Sequence, residues 1–326
     1  MKKIAAVPRF VMMLVGLFAI AGAAYAQPYP NHPVKILVPY AAGGTTDLVA
    51  RLVAQELQVA LKQPFVVENR PGAVGLIAHR EILRSSNDGY TLMVSGSGPL
   101  SIMPYLHADL GYDPAHAFTP IKLISSSPMV LVVNPHVKAN TVAELIQEAK
   151  DAGGKMSYGS WGAGSPSHLA AELFRADAGF PAIHVPFKGS SEAIANLLGG
   201  HIDMLFEVIF VALPEIKAGK FKAIAITTPQ RSPFLPDTPT MVESGYPKMV
   251  LTTWAAMVGP PGMSPEIVKT LSKVLDKALA RKSFQDKLLA QGAFAEGGSP
   301  QRLSEFLGAQ LELMGKAVKL ADIKPQ

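Results

Sequence analysis

Strand-length apolar runs alternate with helix-period segments along this chain from residue 34 onward. That alternation restricts the fold to an α/β architecture with largely parallel sheets. The strand runs are Val34–Tyr40, Phe65–Glu68, Thr91–Ser95, Met129–Val133, Met156–Tyr158, His184–Pro186, Met204–Phe206, Ala223–Thr227 and Trp254–Val258. After the first run the turn Ala41-Ala42-Gly43-Gly44 leads into a predicted helix, Asp47–Leu61. There Leu48 and Leu52, with Val49 and Val53, recur at i and i+4 and share a face. Thr141 and Glu144 have capping-box spacing, and Ser264-Pro265 and Ser299-Pro300 each place a hydroxyl cap before a first-turn proline. The last two open about 60 residues of helical sequence at the C-terminal end. With 326 residues, 48% hydrophobic and 17% charged, the chain can bury a large core, which excludes a disordered protein. It shows no internal repeat, low-complexity tract or charged linker, so two domains would be joined by strands rather than by a tether.

The N-terminal residues follow a different grammar. Lys2, Lys3 and Arg9 precede the apolar stretch Phe10–Ala24, which ends in Ala24-Tyr25-Ala26. A run of about 15 residues is short of the roughly 20 that span a bilayer, and Ala-x-Ala suits signal peptidase, so cleavage after Ala26 is expected; the alternative is an uncleaved anchor. Losing those three cations lowers the formal charge from +5 to +2. The expected product is an exported, periplasmic, soluble protein. Its lack of cysteine rules out disulfides and thiol chemistry. No basic block is interleaved with aromatics, so nucleic acid is not an expected partner.

Enzyme signatures are incomplete. Gly159-Ser160-Trp161-Gly162 and Gly96-Ser97-Gly98 lack the spacing of a nucleophile elbow, and Gly162-Ala163-Gly164 is followed by Ser167 where a dinucleotide loop needs glycine. The eight histidines include no pair three or four apart, so neither a metal nor a cofactor is expected. No local carboxylate pair suggests acid–base catalysis, and the expectation is a protein that is not an enzyme.

What stands out instead is a pair of Gly/Ser-rich turns between a strand and a helix. Such turns leave the first helical N–H groups aimed at one point, where the helix dipole favours an anion. In Gly43-Gly44-Thr45-Thr46-Asp47 the glycines admit a ligand to the backbone and the threonines add hydroxyls; Asp47 reads as a cap more readily than as a ligand group. The second turn runs from Gly159 to Pro166 and opens a helix carrying His168 and Leu169, with Ser165-Pro166 as its cap. Two opposed helix N-termini across a cleft would suit a dianion with a carboxylate at each end.

These residues resemble the periplasmic substrate-binding proteins of tripartite tricarboxylate transporters, the Bordetella uptake gene (Bug) family. The likeness runs through Val38-Pro39-Tyr40, Gly43-Gly44-x-x-Asp47, Ala50-Arg51, Val67-Glu68-Asn69-Arg70-Pro71-Gly72-Ala73 and Asp88-Gly89-Tyr90-Thr91-Leu92. It continues through Tyr158-Gly159-Ser160, Gly164-Ser165-Pro166-x-His168-Leu169, Val185-Pro186-Phe187-Lys188-Gly189, Leu198-Gly199-Gly200-x-Ile202-Asp203 and Leu235-Pro236-Asp237-x-Pro239-Thr240.

The resemblance implies a two-lobed type II periplasmic binding protein, a Venus flytrap with its ligand cleft between the lobes. Lobe 1 would comprise residues 27–127 and 250–326, and lobe 2 residues 128–249. The implied role is capture of a small organic carboxylate, whether di- or tricarboxylate or aromatic, and delivery to a two-component membrane permease by a monomeric protein. A ligand-sensing module for a receptor, or a hydrolase, is the alternative. The resemblance places the ligand site on Tyr40, Gly43, Gly44 and Thr45, on the turn Ser95, Gly96 and Ser97, and on the loop from Ser160 to Ser165, with Trp161 and Gly164, followed by His168; Asp47, Ala73, Phe187, Lys188 and Glu207 complete the set of candidate ligand-binding residues.

Several positions depart from the family pattern: Ala42 replaces a common proline, Val74 and Ala78 replace glycines, Trp161 replaces a smaller or polar residue, and Glu207 stands for aspartate. Trp161 either lines the cleft and favours a bulky apolar carboxylate or packs as a wedge. Glu207 either selects an ammonium or hydroxyl on the ligand or serves a hinge or helix cap. Lys188 either lends positive potential at the cleft mouth or is simply solvated.

Overall fold

The computed structural model describes residues 29–107, 110–321 and 323; the expected signal peptide and its cleavage point lie outside them. Ten strands and nine α-helices follow in the described chain. The first part contains β1 (Val34–Val38), α1 (Thr45–Leu61), β2 (Phe65–Asn69), α2 (Leu76–Leu83), β3 (Thr91–Gly96) and the long β4 (Thr119–Val133). The middle contains α3 (Val142–Asp151), β5 (Ser157–Ser160), α4 (Pro166–Ala178), β6 (Ile183–Pro186), α5 (Ser190–Leu198), β7 (Met204–Val208), α6 (Ile209–Lys217) and β8 (Lys222–Ile226). Then come β9 (Thr252–Gly259), α7 (Pro265–Leu279), α8 (Lys282–Leu289), β10 (Phe294–Ala295) and α9 (Pro300–Leu320).

The caps form where the sequence puts them. Thr141 Oγ1 accepts from the Glu144 N–H at 3.2 Å, Ser264 from Glu266, and Ser299 from Arg302. In α1 the buried stripe is Val49, Ala50, Val53, Ala54 and Leu57. Leu48 and Leu52 lie at its half-buried margin, so the core-facing stripe is rotated from the expected leucines.

The strand order is β2-β1-β3-β9-β4-β7-β5-β6, with β8 and β10 also pairing β4. β1 is parallel to β2 and β3, and β5 is parallel to β6 and β7. Between these two parallel sets, β9 and β4 run antiparallel to their neighbours. The expectation of largely parallel sheets therefore holds for the two flanks and fails at the centre. β4 is 15 residues long, and its first part pairs β9 and β10 while its second, from Met129, pairs β7 and β8.

Only the second part of β4 was legible as a strand. The first part is interrupted by proline and polar residues, and it is held by long-range contacts: the buried Lys122 ammonium donates to Asp276 at 2.6 Å and to the Gly298 carbonyl at 2.5 Å. At the change of partners, Ser126 Oγ donates to Glu296 and Thr253 Oγ1 to the Ser127 carbonyl.

Each parallel set is covered on both faces. α1, α7 and α8 close one face of the β1–β3 set, burying Val34, Ile36 and Val38 with Leu271 and Phe284, while α2 and α9 cover the other around Leu37, Met93 and Trp254. In the β5–β7 set, α3 and α4 pack over Leu131, Tyr158 and Phe206, and α5 and α6 over Val130, Val132 and Leu205. The helix α9 serves both sets: Leu303 packs near Trp254, whereas Met314, Ala317 and Val318 join the cluster around α4. No helix among the described residues is long and apolar enough to cross a membrane.

Candidate functional site

The two parallel sets end in loops at Val38 and Gly96 on one side, and at Ser160, Pro186 and Val208 on the other. Ligands of open α/β sheets bind at the carboxyl ends of parallel strands, because there the following helices present unpaired N–H groups. On the first side, α1 begins after Gly44, which is exposed and makes no side-chain cap. The Gly44, Thr45 and Thr46 N–H groups carry no hydrogen bond among the described residues.

The loop that presents them is fixed from beneath by Asp47. Its Oδ2 accepts from the Gly43 N–H at 2.9 Å and from Arg51 Nε at 3.0 Å, and its Oδ1 accepts from Asn69 Nδ2 at 2.9 Å. Burial pushes this carboxyl up, but the donors from Arg51, Gly43 and Asn69 outweigh it and hold it below the usual range. Asp47 is thus a buried staple of the loop, its oxygens engaged within the protein. Asn69 also donates to the Tyr40 carbonyl at 3.0 Å, a role the Glu68-Asn69-Arg70 motif did not reveal by itself.

Tyr40 leans over the end of β3. A methyl group on Gly96 would lie 3.4 Å from the Tyr40 hydroxyl and 3.8 Å from Thr46 Oγ1. On Gly98 it would lie 3.3 Å from the same hydroxyl and 3.4 Å from Cδ of Pro166, the first residue of α4. The β1 loop, the β3 turn and the start of α4 therefore converge, although 126 residues of chain separate Tyr40 from Pro166. Burial pushes the Tyr40 hydroxyl's pKa up, which keeps it a neutral donor. Ser95 is buried and its Oγ lies 3.4 Å from Nε2 of His79, whose other ring nitrogen meets Tyr112 at 2.8 Å. Burial lowers His79 to about 3, so it stays neutral. The Ser97 carbonyl accepts from Ser101 Oγ at 2.7 Å. Ala73 adopts a left-handed φ of 44° in an exposed turn beside that loop.

Across from these, Ser165 caps α4, accepting from the His168 N–H at 3.2 Å, and His168 Nδ1 accepts from the Gly164 N–H at 3.1 Å. Gly164 has φ 79°, and a methyl there would meet Leu106 Cδ1 at 2.6 Å, so only glycine fits. With Nδ1 accepting, the neutral His168 ring carries its proton on Nε2. The ring stacks on His184 at 4.1 Å, which stacks on Tyr158 at 4.9 Å. The Tyr158 hydroxyl donates to Glu172, itself paired with Arg175. Burial lowers both imidazoles, His184 to about 4. Ser160 is fully buried with Oγ 2.7 Å from His184 Nε2, and it accepts from the Gly162 N–H. His184 was missed as a site residue; its only sequence signal was its place before Val185-Pro186.

The structure joins the two unusual residues that the sequence presented separately. Trp161 is half-buried between the two cores of this half, and its Nε1 donates to Glu207 Oε2 at 2.8 Å. The same oxygen accepts from Ser190 Oγ at 2.8 Å, and Oε1 accepts from the Val208 N–H at 2.8 Å. Glu207 is fully buried, and that burial lifts its pKa to about 7 against the pull of the three donors. Phe187 is half-buried and donates its N–H to the Ser160 carbonyl, whereas Lys188 is exposed and donates its N–H to Glu192.

The sequence profile described as the tripartite tricarboxylate transporter family receptor, TctC, matches residues 49–322. The chain belongs to the TctC family. BugT of Bordetella pertussis is 34% identical to this TctC chain, covering 95% of it and 96% of BugT. Among solved structures, Rpa4515 of R. palustris, solved with adipate, has a TM-score of 0.86 and 34% identity, covering 91% of this chain and all of that one. MatC of Rhodopseudomonas palustris, solved with bound malate, has a TM-score of 0.82 and 29% identity over 89% of this chain and all of that one. The periplasmic binding protein BugD gives 0.84 and 34% over 91% and 100%. The fold is accordingly the two-lobed type II arrangement, and the matched relatives are binding proteins rather than enzymes.

Proposed function

We propose that this solute-binding protein closes two lobes over a small organic carboxylate in the periplasm and hands it to a two-component membrane permease. The observation that carries the reading is the convergence at Gly98, where the Tyr40 hydroxyl and the start of α4 approach one turn beside the uncapped N-terminus of α1. Free N–H groups, a neutral phenol and a helix dipole together favour a carboxylate without a lysine. The adipate and malate held by its structural relatives support the same ligand class.

Lobe 1 is proposed as residues 27–127 and 250–326 and lobe 2 as 128–249. The exchange of β4's partners at Met129, and the return of the chain where the Leu251 N–H donates to Thr227, support those limits. On this reading Tyr40, Gly43, Gly44, Thr45, Ala73 and the Ser95–Ser97 turn hold the ligand from lobe 1. Ser160, Trp161, Gly164, Ser165, His168 and Phe187 face it from lobe 2, with Lys188 on the rim, while Asp47 and Glu207 act through the groups they hold. The mature protein is a monomer that begins after Ala26.

The test is thermal unfolding of refolded protein lacking residues 1–26 against a panel of mono-, di- and tricarboxylates. A ligand at 100 times its Kd adds about 2.7 kcal/mol, or roughly 5–10 °C for a chain of this size. Absence of any shift across the panel refutes carboxylate capture, and uptake that survives deletion of the permease refutes delivery.

A further inference from the structure

We infer that a cavity between the end of α2 and the loop leading to β4, walled by Arg80, Arg84 and Tyr112, is a binding site for a phosphate group, separate from the strand-end site described above. The inference goes beyond the carboxylate reading and does not depend on it. The cavity measures about 370 Å³, within the range of small-ligand sites, and Arg80, Leu83, Arg84, Leu110, Gly111 and Tyr112 line it. Its two guanidinium groups come from one helix and the residue that ends it. They stand four residues apart, so they share a face.

What marks this pair is its lack of carboxylates. Arg51, Arg70, Arg175, Arg231 and Arg281 each hold one. Arg80 and Arg84 have no ion pair among the described residues, and the acidic side chains nearest them in the chain are engaged elsewhere: Glu81 lies between Lys35 and Arg70, and Asp113 accepts from His116 and the Ala115 N–H. Tyr112 closes the cavity as a neutral wall. Its hydroxyl meets His79 Nδ1 at 2.8 Å, and burial pushes it up to about 12 against the pull of the Arg80 charge. The buried His79 ring then separates this phenol from Ser95, so the cavity and the β3 turn are distinct places. A carboxylate fills its two oxygens on a single guanidinium, whereas a phosphate presents three and can engage both. No acidic side chain lines the cavity to repel it, and Leu83 and Leu110 offer apolar wall to the organic part of an ester.

The experiment is titration calorimetry of inorganic phosphate into the refolded protein, in phosphate-free buffer at low salt, where exposed charges are least screened. A single site per chain is expected, and the double change Arg80→Gln with Arg84→Gln should weaken it at least about 10-fold, the size of one lost charge-assisted hydrogen bond. Both arginines are exposed, so the double variant should keep the wild-type urea midpoint. Arg302→Gln removes another exposed arginine that has no ion pair among the described residues and lies outside the cavity lining; it should leave the affinity within about 2-fold. A wild type that binds no phosphate overturns the inference. So does binding that survives the double change, or that Arg302→Gln weakens equally, since attraction by net charge then accounts for it. Vesicles of phosphatidylglycerol separate the two sources of the group: sedimentation of the wild type but not of the double variant assigns a lipid headgroup, and phosphate binding without sedimentation assigns free phosphate or a soluble ester. The thermal shifts with carboxylates are read separately and should be the same in the double variant, so failure here leaves the carboxylate reading standing.

Discussion

Replacing Glu207 by glutamine should flatten part of the protein's pH–stability curve. Glu207 is fully buried and its carboxyl is lifted from the usual 4.5 to about 7. Between those values the folded state holds a proton that the unfolded chain releases. The associated stability is fully present below pH 4.5 and is lost as the pH rises through 7. Applying the linkage relation to those two values gives a loss of about 2.5 kcal/mol between about pH 5 and pH 8 from this one group. Glutamine cannot ionise and contributes no such slope.

It does bring a pH-independent cost. One of its terminal atoms becomes an NH2 where Glu207 accepts from Val208 on one side and from Trp161 and Ser190 on the other. The diagnostic quantity is therefore the change with pH of the wild-type minus variant difference, measured by urea unfolding at intervals from about pH 5 to 8. The variant should gain on the wild type by about 2.5 kcal/mol over that range. A difference constant within about 0.5 kcal/mol, the error expected of such extrapolations, would refute the assignment of a raised pKa to this buried carboxyl.

The lowered imidazoles act with the opposite sign. His184, pushed to about 4 by burial, contributes stability that is present above pH 6.5 and lost as the pH falls through 4, so His184→Gln should lower the sensitivity of stability to pH in that window, read from acid-unfolding curves of the two proteins. Ser165→Ala removes the α4 cap and should cost about 1 kcal/mol in urea unfolding. Gly164→Ala forces a methyl against Leu106 at a positive φ and should cost about 1–3 kcal/mol, with a loss of ligand affinity measured alongside it. Asp276→Asn leaves the buried Lys122 ammonium without its counter-charge and should lower stability by about 3 kcal/mol, whereas the double change with Lys122→Met should recover part of that loss.

The strands and helices that flank the site were legible because their signals are local. The apolar runs read as strands at Val34–Tyr40 and Met204–Phe206, the hydroxyl caps at Thr141, Ser165, Ser264 and Ser299, and the glycine-rich turns after β1 and β5 each depend on a few adjacent residues. The motifs spread along the chain likewise sufficed to indicate the family and its two-lobed fold. Other features depended on partners far away in sequence. The polar first half of β4 is a strand because Asp276 and the Gly298 carbonyl, more than 150 residues on, satisfy Lys122. The central strands run antiparallel because the chain passes through β4 and returns through β9, which no local pattern encodes. Trp161 and Glu207 looked like two independent departures until folding set an indole N–H against a carboxylate 46 residues away, with Ser190 beside them. Periodicity and capping act over one or two turns and are written in the sequence, whereas the partner of a buried charge is chosen by packing, so tertiary structure alone decided what Glu207 does.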